Sequence, residues 1–171
     1  MNYSGISIII CTYNGSKKII PTLKAIAKQN IPADICCELL IVDNASTDST
    51  ASLATDYWDS LISTIPLRII QEPKPGKANA LVKGYDEAKY ELMLLCDDDN
   101  WLQPEYLDIV RELYSRYPEI GLLGGYGKAL FEPGKEPDWF KTYEQAYVCG
   151  KHHNSSGFLE PLDYTIWVLA Q

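Results

Sequence analysis

The stretch LMLLCDDD, residues 92–99, is an apolar run that ends in three consecutive aspartates. In open α/β sheets, ligands bind beyond the carboxyl ends of the strands, which is where these aspartates would lie. Carboxylate oxygens suit Mg²⁺ or Mn²⁺, and one or two carboxylates with a substrate phosphate commonly hold Mg²⁺. The alternative is a solvated acidic turn. We favour a metal site because the aspartates follow five apolar residues directly.

The rest of the chain alternates short apolar segments with amphipathic ones. Strands are predicted over residues 6–11, 37–42, 67–70, 92–96 and 120–123, and helices over about 16–27, 48–58, 78–89 and 104–117. Strands that alternate with helices in this way pair in parallel through right-handed crossovers. The predicted fold is therefore α/β, an open, mostly parallel, doubly wound (Rossmann-like) sheet with helices on both faces.

Composition limits the classes of partner and of compartment. The 171 residues fit one compact domain, and 15 basic against 23 acidic side chains give a net charge of −8. This charge disfavours nucleic acid as a partner. The five cysteines lack paired metal-ligand spacing, which favours reduced thiols. Because neither a signal peptide nor a membrane span is evident, we expect a cytoplasmic protein, with peripheral binding at the inner face of the membrane as the alternative.

Polar loops follow three of the predicted strands and therefore share one edge of the sheet. Thr12, Tyr13 and Asn14 follow the first strand, Asp43 and Asn44 follow the second, and the aspartates follow the fourth. Asp43 could bind the edge of a base or could merely cap the next helix. Tyr13 could stack on a ring or pack in the ordinary way.

Other polar and glycine-rich positions carry weaker signals. Lys77 follows a proline-stiffened loop at a helix start, where phosphate could bind. Neither a P-loop nor a dinucleotide fingerprint in its required context is present. Trp101 is the aromatic residue that best suits stacking on a carbohydrate, since it closely follows the acidic cluster. His152 and His153 are adjacent, so their side chains diverge and do not suggest a shared ligand.

Taken in order, three motifs resemble the family 2 glycosyltransferases. They are IIICTYNG at residues 8–15, IVDNASTDST at residues 41–50 and LLCDDD at residues 94–99. Each motif alone is weak, but the ordered set is specific. The resemblance covers about residues 7–126 and implies the A-type glycosyltransferase fold, a nucleotide-sugar donor and a bound Mn²⁺ or Mg²⁺.

The resemblance also implies roles for individual residues. The first loop would contact the nucleoside, the aspartate after the second strand would read the base, and the Asp-x-Asp pair would hold the metal. The implied substrate-binding residues, with Lys77 added from its place at a helix start, are Thr12, Tyr13, Asn14, Asp43, Asn44, Lys77, Asp97 and Asp98. The implied metal ligands are Asp97 and Asp99.

The chain departs from the family pattern in two places. Leu81 and Val82 stand where the family often has Arg-Asn, and Lys77 or Asn79 could substitute for them. In inverting members the acidic catalytic base normally lies beyond the last segment of this chain, so we expect a truncated C-terminal part with the base downstream of Gln171. No catalytic residue is therefore assigned.

We expect residues 1–126 to be the nucleotide-sugar-binding half and residues 127–171 an irregular start of the acceptor half, within one compact domain. The intact protein would be an inverting, metal-dependent hexosyltransferase that moves a sugar from a UDP- or GDP-linked donor to an acceptor hydroxyl. Polysaccharide or glycoconjugate synthesis for the cell envelope is the expected setting, with a saccharide or lipid-linked acceptor. This chain alone would hold the donor but have little transfer activity.

Three alternatives remain open from the sequence. A sugar-phosphate nucleotidyltransferase is disfavoured because its glycine- and arginine-rich loop after the first strand is missing. An aspartate-nucleophile phosphatase is disfavoured because its motif belongs at the first strand, whereas Asp97 follows the fourth. The third alternative is a non-catalytic nucleotide-binding module. A homodimer is a further partnership that the sequence leaves open.

Overall fold

A computed structural model describes residues 4–31, 33–125 and 127–144. Where composition led us to expect one compact domain, the chain falls into two compact units, residues 1–121 and 122–171, and each is described by itself. The functional roles expected for residues 1–126 and 127–171 stay predictions. The described elements of the first unit are β1 Gly5–Thr12, α1 Ile19–Ala27, β2 Cys36–Asp43, α2 Thr50–Asp59, β3 Leu67–Gln71, α3 Lys77–Glu87, β4 Leu92–Asp97 and α4 Tyr106–Arg116.

The four strands of the first unit form one parallel sheet with the order β3-β2-β1-β4. The chain steps from β1 to β2 to β3 in one direction and then crosses back past β1 to β4. Crossovers between parallel strands are right-handed as a rule, and with this strand order they place α1 and α2 on one face of the sheet and α3 on the other. The predicted open, parallel α/β sheet is confirmed.

Both faces of the two central strands are covered, which explains their almost continuous apolar sequences. Ile8, Ile9 and Ile10 are each no more than 1% exposed. Ile9 packs with Leu40, Val42 and Ala80 in the core beneath α3. Its neighbours along β1 point to the opposite face, because side chains alternate along a strand. Burying each isoleucine side chain contributes about 1.5–3 kcal/mol.

A buried carboxylate ties the connection between α3 and β4 to the sheet. Glu38 is 2% exposed, and its Oε1 accepts hydrogen bonds from Ser7 Oγ at 2.7 Å and from the backbone N of Lys89 at 2.6 Å. Its Oε2 pairs with the Arg68 guanidinium at 3.2 Å. Burial raises the pKa of Glu38, but these hydrogen bonds and the positive charge outweigh burial, and the net pKa lies below its usual value.

A second buried polar side chain joins the end of α1 to the start of α4. Gln29 Nε2 donates to the carbonyl oxygen of Gln103 at 2.7 Å, and Gln29 Oε1 accepts from the backbone N of Leu107 at 3.2 Å. The amide thereby satisfies the first turn of α4, whose amide groups have no acceptor within the helix. These bonds fix the loop that follows the acidic cluster.

The strand predicted at residues 120–123 is wrong, because these residues form a bend and irregular structure. Leu122 is 56% exposed, and a side chain at Gly121 would have no neighbouring atom within 4 Å. An apolar run without a neighbouring strand has no partners for its backbone groups. Three helices also begin later than predicted, α1 at Ile19, α2 at Thr50 and α4 at Tyr106.

Two sequence-based interpretations lie outside the described residues. They concern the adjacent His152 and His153 and the last segment of the chain, beyond which the catalytic base is expected. In the second unit the described residues include the short helix α5, Phe140–Tyr143, and Phe131 packs edge-on against Phe140 with ring centroids 4.7 Å apart. Within the described ranges, no helix is both long and apolar enough to cross a membrane.

Candidate functional site

The register of the sheet brings the predicted loops together at its carboxyl edge. Thr12 is paired with Asp43, and Cys11, one residue earlier, is paired with Asp97. Asp43 is paired in turn with Gln71 at the end of β3. Residues from all four strands therefore meet along one line, as expected where the strands of a parallel sheet end together.

The acidic turn, residues 97–99, begins at the last residue of β4 and places Asp97 and Asp98 on opposite sides of the sheet. Asp97 is in register with Cys11, which packs in the core beneath α3. On that side, Lys77 Nζ at the start of α3 lies 2.7 Å from Asp97 Oδ1. Asp98 points the other way, since side chains alternate along a strand. Asp99 lies nearer to the side of Asp98, because its Oδ2 is 3.8 Å from the same Lys18 Nζ that pairs with Asp98.

Asp98 is buried and both of its carboxylate oxygens have partners. Thr12 Oγ1 donates to Oδ2 at 2.6 Å, and Lys18 Nζ lies 2.7 Å from Oδ1. The backbone is held as well, because Thr22 Oγ1 of α1 donates to the carbonyl oxygen of Asp98 at 3.0 Å. The structure thus gives Asp98 an anchoring role, and its predicted contact with substrate stays a prediction.

Asp99 is the open member of the acidic cluster, with 59% of its side chain exposed. Within the described ranges, no three His, Cys, Asp or Glu side chains form a group that could hold a metal ion. Two carboxylates, Asp97 and Asp99, nevertheless present the hard oxygen donors that Mg²⁺ and Mn²⁺ prefer, and such ions commonly complete their coordination with substrate phosphates and water. The donor set therefore fits a metal that arrives with a phosphate ligand.

Asp43 is held in one orientation at the end of β2. Its Oδ1 accepts from the backbone N of Ser46 at 3.2 Å, and its Oδ2 accepts from Gln71 Nε2 at 3.0 Å. The alternative, that Asp43 caps α2, does not fit, because the backbone N of Thr50 at the start of that helix donates to Asp48 Oδ1 at 3.0 Å. Hydrogen bonds from Thr50 and Ser16 lower the pKa of Asp48 to about 2.

Asn44 holds the loop between β3 and α3. Its Nδ2 donates to the carbonyl oxygens of Glu72 at 3.0 Å and Lys74 at 2.7 Å, and its Oδ1 accepts from the backbone N of Gly76 at 2.8 Å. Gly76 has a φ of 126°, a conformation that side chains disfavour. Asn44 thereby places the start of α3, and its predicted contact with the donor stays a prediction.

The loop after β1 packs against the loop after β2 through Asn14. Its Oδ1 accepts from the backbone N of Thr47 at 2.8 Å, and its own backbone N donates to Ser46 Oγ at 3.0 Å. Asn14 adopts the left-handed conformation with φ 50°, which asparagine tolerates better than most residues. Tyr13 is 59% exposed, so its ring is open to a ligand.

The charged state of the site follows from its hydrogen bonds and from burial. The hydrogen bond to Asp98 raises the pKa of Lys18, which keeps this side chain positively charged. Burial raises the pKa of Cys11 to about 11 and that of Cys96 to about 12. Both thiols stay protonated at neutral pH and are poor nucleophiles.

Sequence reasoning did not single out Lys18, Thr22 or Gln71 as site residues. Lys18 and Thr22 are four residues apart, so they lie on the same side of the chain and both reach Asp98. The available sequence signal for these contacts was that both polar residues share a side of the chain with the buried apolar residues of α1. Gln71 ends β3 beside Asp43, but nothing in its local sequence indicated that contact.

Two further sequence interpretations concern Asn79 and Trp101, which lie near the acidic turn in sequence or in the fold. Asn79 Nδ2 donates to the carbonyl oxygen of Pro75 at 2.9 Å, whereas Lys77 contacts Asp97. Of the two residues weighed as substitutes for the missing Arg-Asn, only Lys77 thus contacts the aspartates. Trp101 is 50% exposed and lines a mostly apolar surface groove of about 290 Å³ beside Lys24 of α1 and Lys28, which follows that helix. Stacking of a sugar on Trp101 stays a prediction.

Comparison with protein families and curated proteins identifies what the chain is similar to. The family described as "Glycosyl transferase family 2" matches residues 7–157. The chain is 27% identical over 121 residues to the poly-beta-1,6-N-acetyl-D-glucosamine synthase of Staphylococcus epidermidis, which is 71% of this chain and 28% of that relative. It is 32% identical over 102 residues to the poly(ribitol-phosphate) beta-N-acetylglucosaminyltransferase TarS of Staphylococcus aureus, 59% of this chain and 17% of that relative.

Solved structures share the fold. The structure of S. aureus TarS 1–349 in complex with UDP superposes with a TM-score of 0.60 at 25% identity, over 75% of this chain and 38% of that one. The mannosyltransferase PcManGT from Pyrobaculum calidifontis, in complex with GDP-Man and Mn²⁺, gives a TM-score of 0.58 at 25% identity. The superposition covers 77% of this chain and 36% of that one. The chain spans well under half the length of each protein that it matches here.

Proposed function

The chain belongs to glycosyl transferase family 2, and on that premise we propose that it is the donor-binding part of an enzyme that transfers a sugar from a nucleoside diphosphate. The resemblance read from the three motifs and the expected A-type glycosyltransferase fold are confirmed. The observation that carries the proposal is the convergence of the loops after β1, β2 and β4 at one sheet edge, where the two outer aspartates stay accessible to a ligand.

In the proposed complex the nucleoside lies over the loops after β1 and β2. Tyr13 would stack on the base, since its ring is exposed, and Thr12 and Asn14 would shape the pocket beside it. The Asp43 carboxylate would accept from an N–H group of the base, and Gln71 holds that carboxylate in place. Uracil and guanine both offer such an N–H group, so a UDP- or GDP-linked donor satisfies the site.

The diphosphate would lie between the acidic turn and the start of α3. Asp97 and Asp99 would hold Mn²⁺ or Mg²⁺ there, and the metal supplies Lewis-acid stabilisation of the charge that develops on the leaving diphosphate. Lys77 contacts Asp97 and is 58% exposed, so it can also reach a phosphate oxygen. The positive end of the α3 dipole adds to this attraction.

From membership of the family we infer the stereochemistry, the acceptor and the compartment. Transfer with inversion requires a carboxylate base opposite the leaving group, and no described residue is assigned that role. Relatives named as a poly-beta-1,6-N-acetyl-D-glucosamine synthase and a poly(ribitol-phosphate) beta-N-acetylglucosaminyltransferase support a saccharide or lipid-linked acceptor in the cell envelope. We propose that the donor-binding chain works at the cytoplasmic side, where nucleotide sugars are available, and that transfer needs residues beyond those described.

Calorimetric titration of the chain with UDP and GDP, with and without Mn²⁺, tests the proposal. Binding of at least one nucleotide should depend on the metal, and Asp97→Asn and Asp99→Asn should each weaken it at least about tenfold, which corresponds to about 1.4 kcal/mol. Asp108→Asn, which changes an exposed aspartate of α4, is the matched control and should bind like the wild type. Metal-independent binding, or no binding to either nucleotide, would overturn the proposal.

A further inference from the structure

A positively charged side chain, Lys18, lies beside the acidic turn and has no role in the proposed chemistry. Lys18 Nζ lies 2.7 Å from Asp98 Oδ1 and 3.8 Å from Asp99 Oδ2. Its hydrogen bond to Asp98 raises its pKa, so the lysine stays charged at neutral pH. It is therefore close to one of the two carboxylates that would hold the metal, on the side of the turn opposite Lys77.

The two lysines offset most of the charge of the aspartates. Three carboxylates and two ammonium groups leave a formal charge of −1 at the turn. A bare divalent cation is attracted weakly by such a site and is repelled by the nearby ammonium groups. A nucleoside diphosphate brings both the missing negative charge and additional oxygen ligands.

Lys18 cannot easily move away from this position. Its partner Asp98 is 5% exposed and is held from the opposite side by Thr12 Oγ1 at 2.6 Å. Among the described residues, removing the lysine would leave the Asp98 carboxylate with the Thr12 hydroxyl as its one side-chain partner, so the ion pair is favoured over a free lysine. The ion pair thus keeps a positive charge beside the acidic turn.

We propose that Lys18 is the resident counter-charge of the acidic turn, so that a divalent metal binds weakly alone and tightly only together with a nucleoside diphosphate. Lys18 is then a residue that couples metal binding to donor binding without being a ligand of either. This inference rests on the proposed function for the identity of the nucleotide, but its electrostatic part concerns the metal alone.

Titration of Mn²⁺ in the absence of nucleotide, followed by the electron paramagnetic resonance signal of the free ion, tests the electrostatic part. Lys18→Met should bind Mn²⁺ about three- to tenfold more tightly than the wild type at low ionic strength, and the difference should shrink in added salt. Lys18→Arg keeps the charge and should bind Mn²⁺ like the wild type. Lys17→Met removes a neighbouring exposed lysine and is the matched control.

Thermal unfolding shows whether each variant is folded. If Lys18→Met does not fold, Lys18→Gln removes the charge while keeping an amide that can donate to Asp98, and the same gain in Mn²⁺ affinity is expected. Equal or weaker Mn²⁺ binding by the folded uncharged variant would overturn the inference, because the lysine would then act only in positioning or not at all.

Repeating the titration with UDP and with GDP separates this inference from the proposed function. In the wild type the nucleotide should tighten Mn²⁺ binding, and in Lys18→Met this enhancement should be smaller, since the free ion already binds well. If neither nucleotide affects Mn²⁺ binding in any variant, the donor-site proposal fails and the coupling role of Lys18 fails with it. Tighter Mn²⁺ binding by Lys18→Met in the absence of nucleotide would then show only that the positive charge of Lys18 weakens binding of the free ion.

Discussion

Replacing Gly15 by alanine should destabilise the corner where β1, α1 and the acidic turn meet. A Cβ at this position would lie 2.3 Å from Thr12 Oγ1 and 2.8 Å from Asp98 Oδ2. Neither atom is the end of a freely moving side chain, because the two are hydrogen-bonded to each other at 2.6 Å. One of them must move, and the buried carboxylate would then lose its hydroxyl partner.

The expected loss is the sum of steric strain and of a weakened buried hydrogen bond. Overpacking of a tight site costs about 1–3 kcal/mol. A hydrogen bond to a charged group contributes about 1.5–3 kcal/mol, of which a displaced hydroxyl would lose a part. We expect a total near 3 kcal/mol, and for a chain of this size each kcal/mol lowers Tm by about 2–4 °C.

Urea unfolding and thermal unfolding of Gly15→Ala measure this loss directly. Gly121→Ala is the matched control, since a Cβ at Gly121 has no neighbour within 4 Å and its stability should change by less than about 0.5 kcal/mol. The Gly15 variant should also bind Mn²⁺ with nucleotide more weakly, because the acidic turn shifts. Equal stability of the two variants would refute the tight packing of Gly15 against Asp98.

Three further predictions concern buried groups of the first unit. Glu38→Gln should destabilise the fold by about 1–3 kcal/mol at neutral pH, as measured by urea unfolding. Because folding lowers the pKa of Glu38, the difference in stability from the wild type should shrink as the pH falls below about 4.5. Gln29→Ala should cost about 1–3 kcal/mol by the same assay, since the backbone amide of Leu107 in α4 loses its acceptor. Iodoacetamide at pH 8 should modify exposed Cys36 far faster than Cys96, whose pKa burial raises to about 12, as peptide mass spectrometry would show.

Much of the sheet could be predicted from sequence because its central strands are buried on both faces. Continuous apolar runs that end in polar residues mark β1, β2 and β4 to within one or two residues of their observed bounds. The same rule failed at residues 120–123, which are also apolar but form no strand. Local composition records the tendency to be buried, whereas pairing depends on a neighbouring strand that the local sequence does not contain.

The sequence predicted where in the fold the candidate site lies, but not which side chains contact one another there. Parallel strands that end together predict that the loops holding Thr12, Asp43 and Asp97 meet, and the register shows that they do. Three identical aspartates give no local sign that Asp98 is buried while Asp99 is exposed. Asp98 differs because Thr12 and Thr22, far away in sequence, both donate to it, through contacts that only the folded sheet creates.

Asn44 fixes the backbone of the loop between β3 and α3 without depending on which side chains the loop carries. All three hydrogen bonds go to backbone groups, the carbonyl oxygens of Glu72 and Lys74 and the amide of Gly76. Side chains at residues 73–75 can therefore change while Lys77 keeps its place, whereas the Glu72 carboxylate also accepts from the backbone N of Lys74 at 2.8 Å. This part of the loop can diverge in sequence, in evolution or by design, without rebuilding the fold around it.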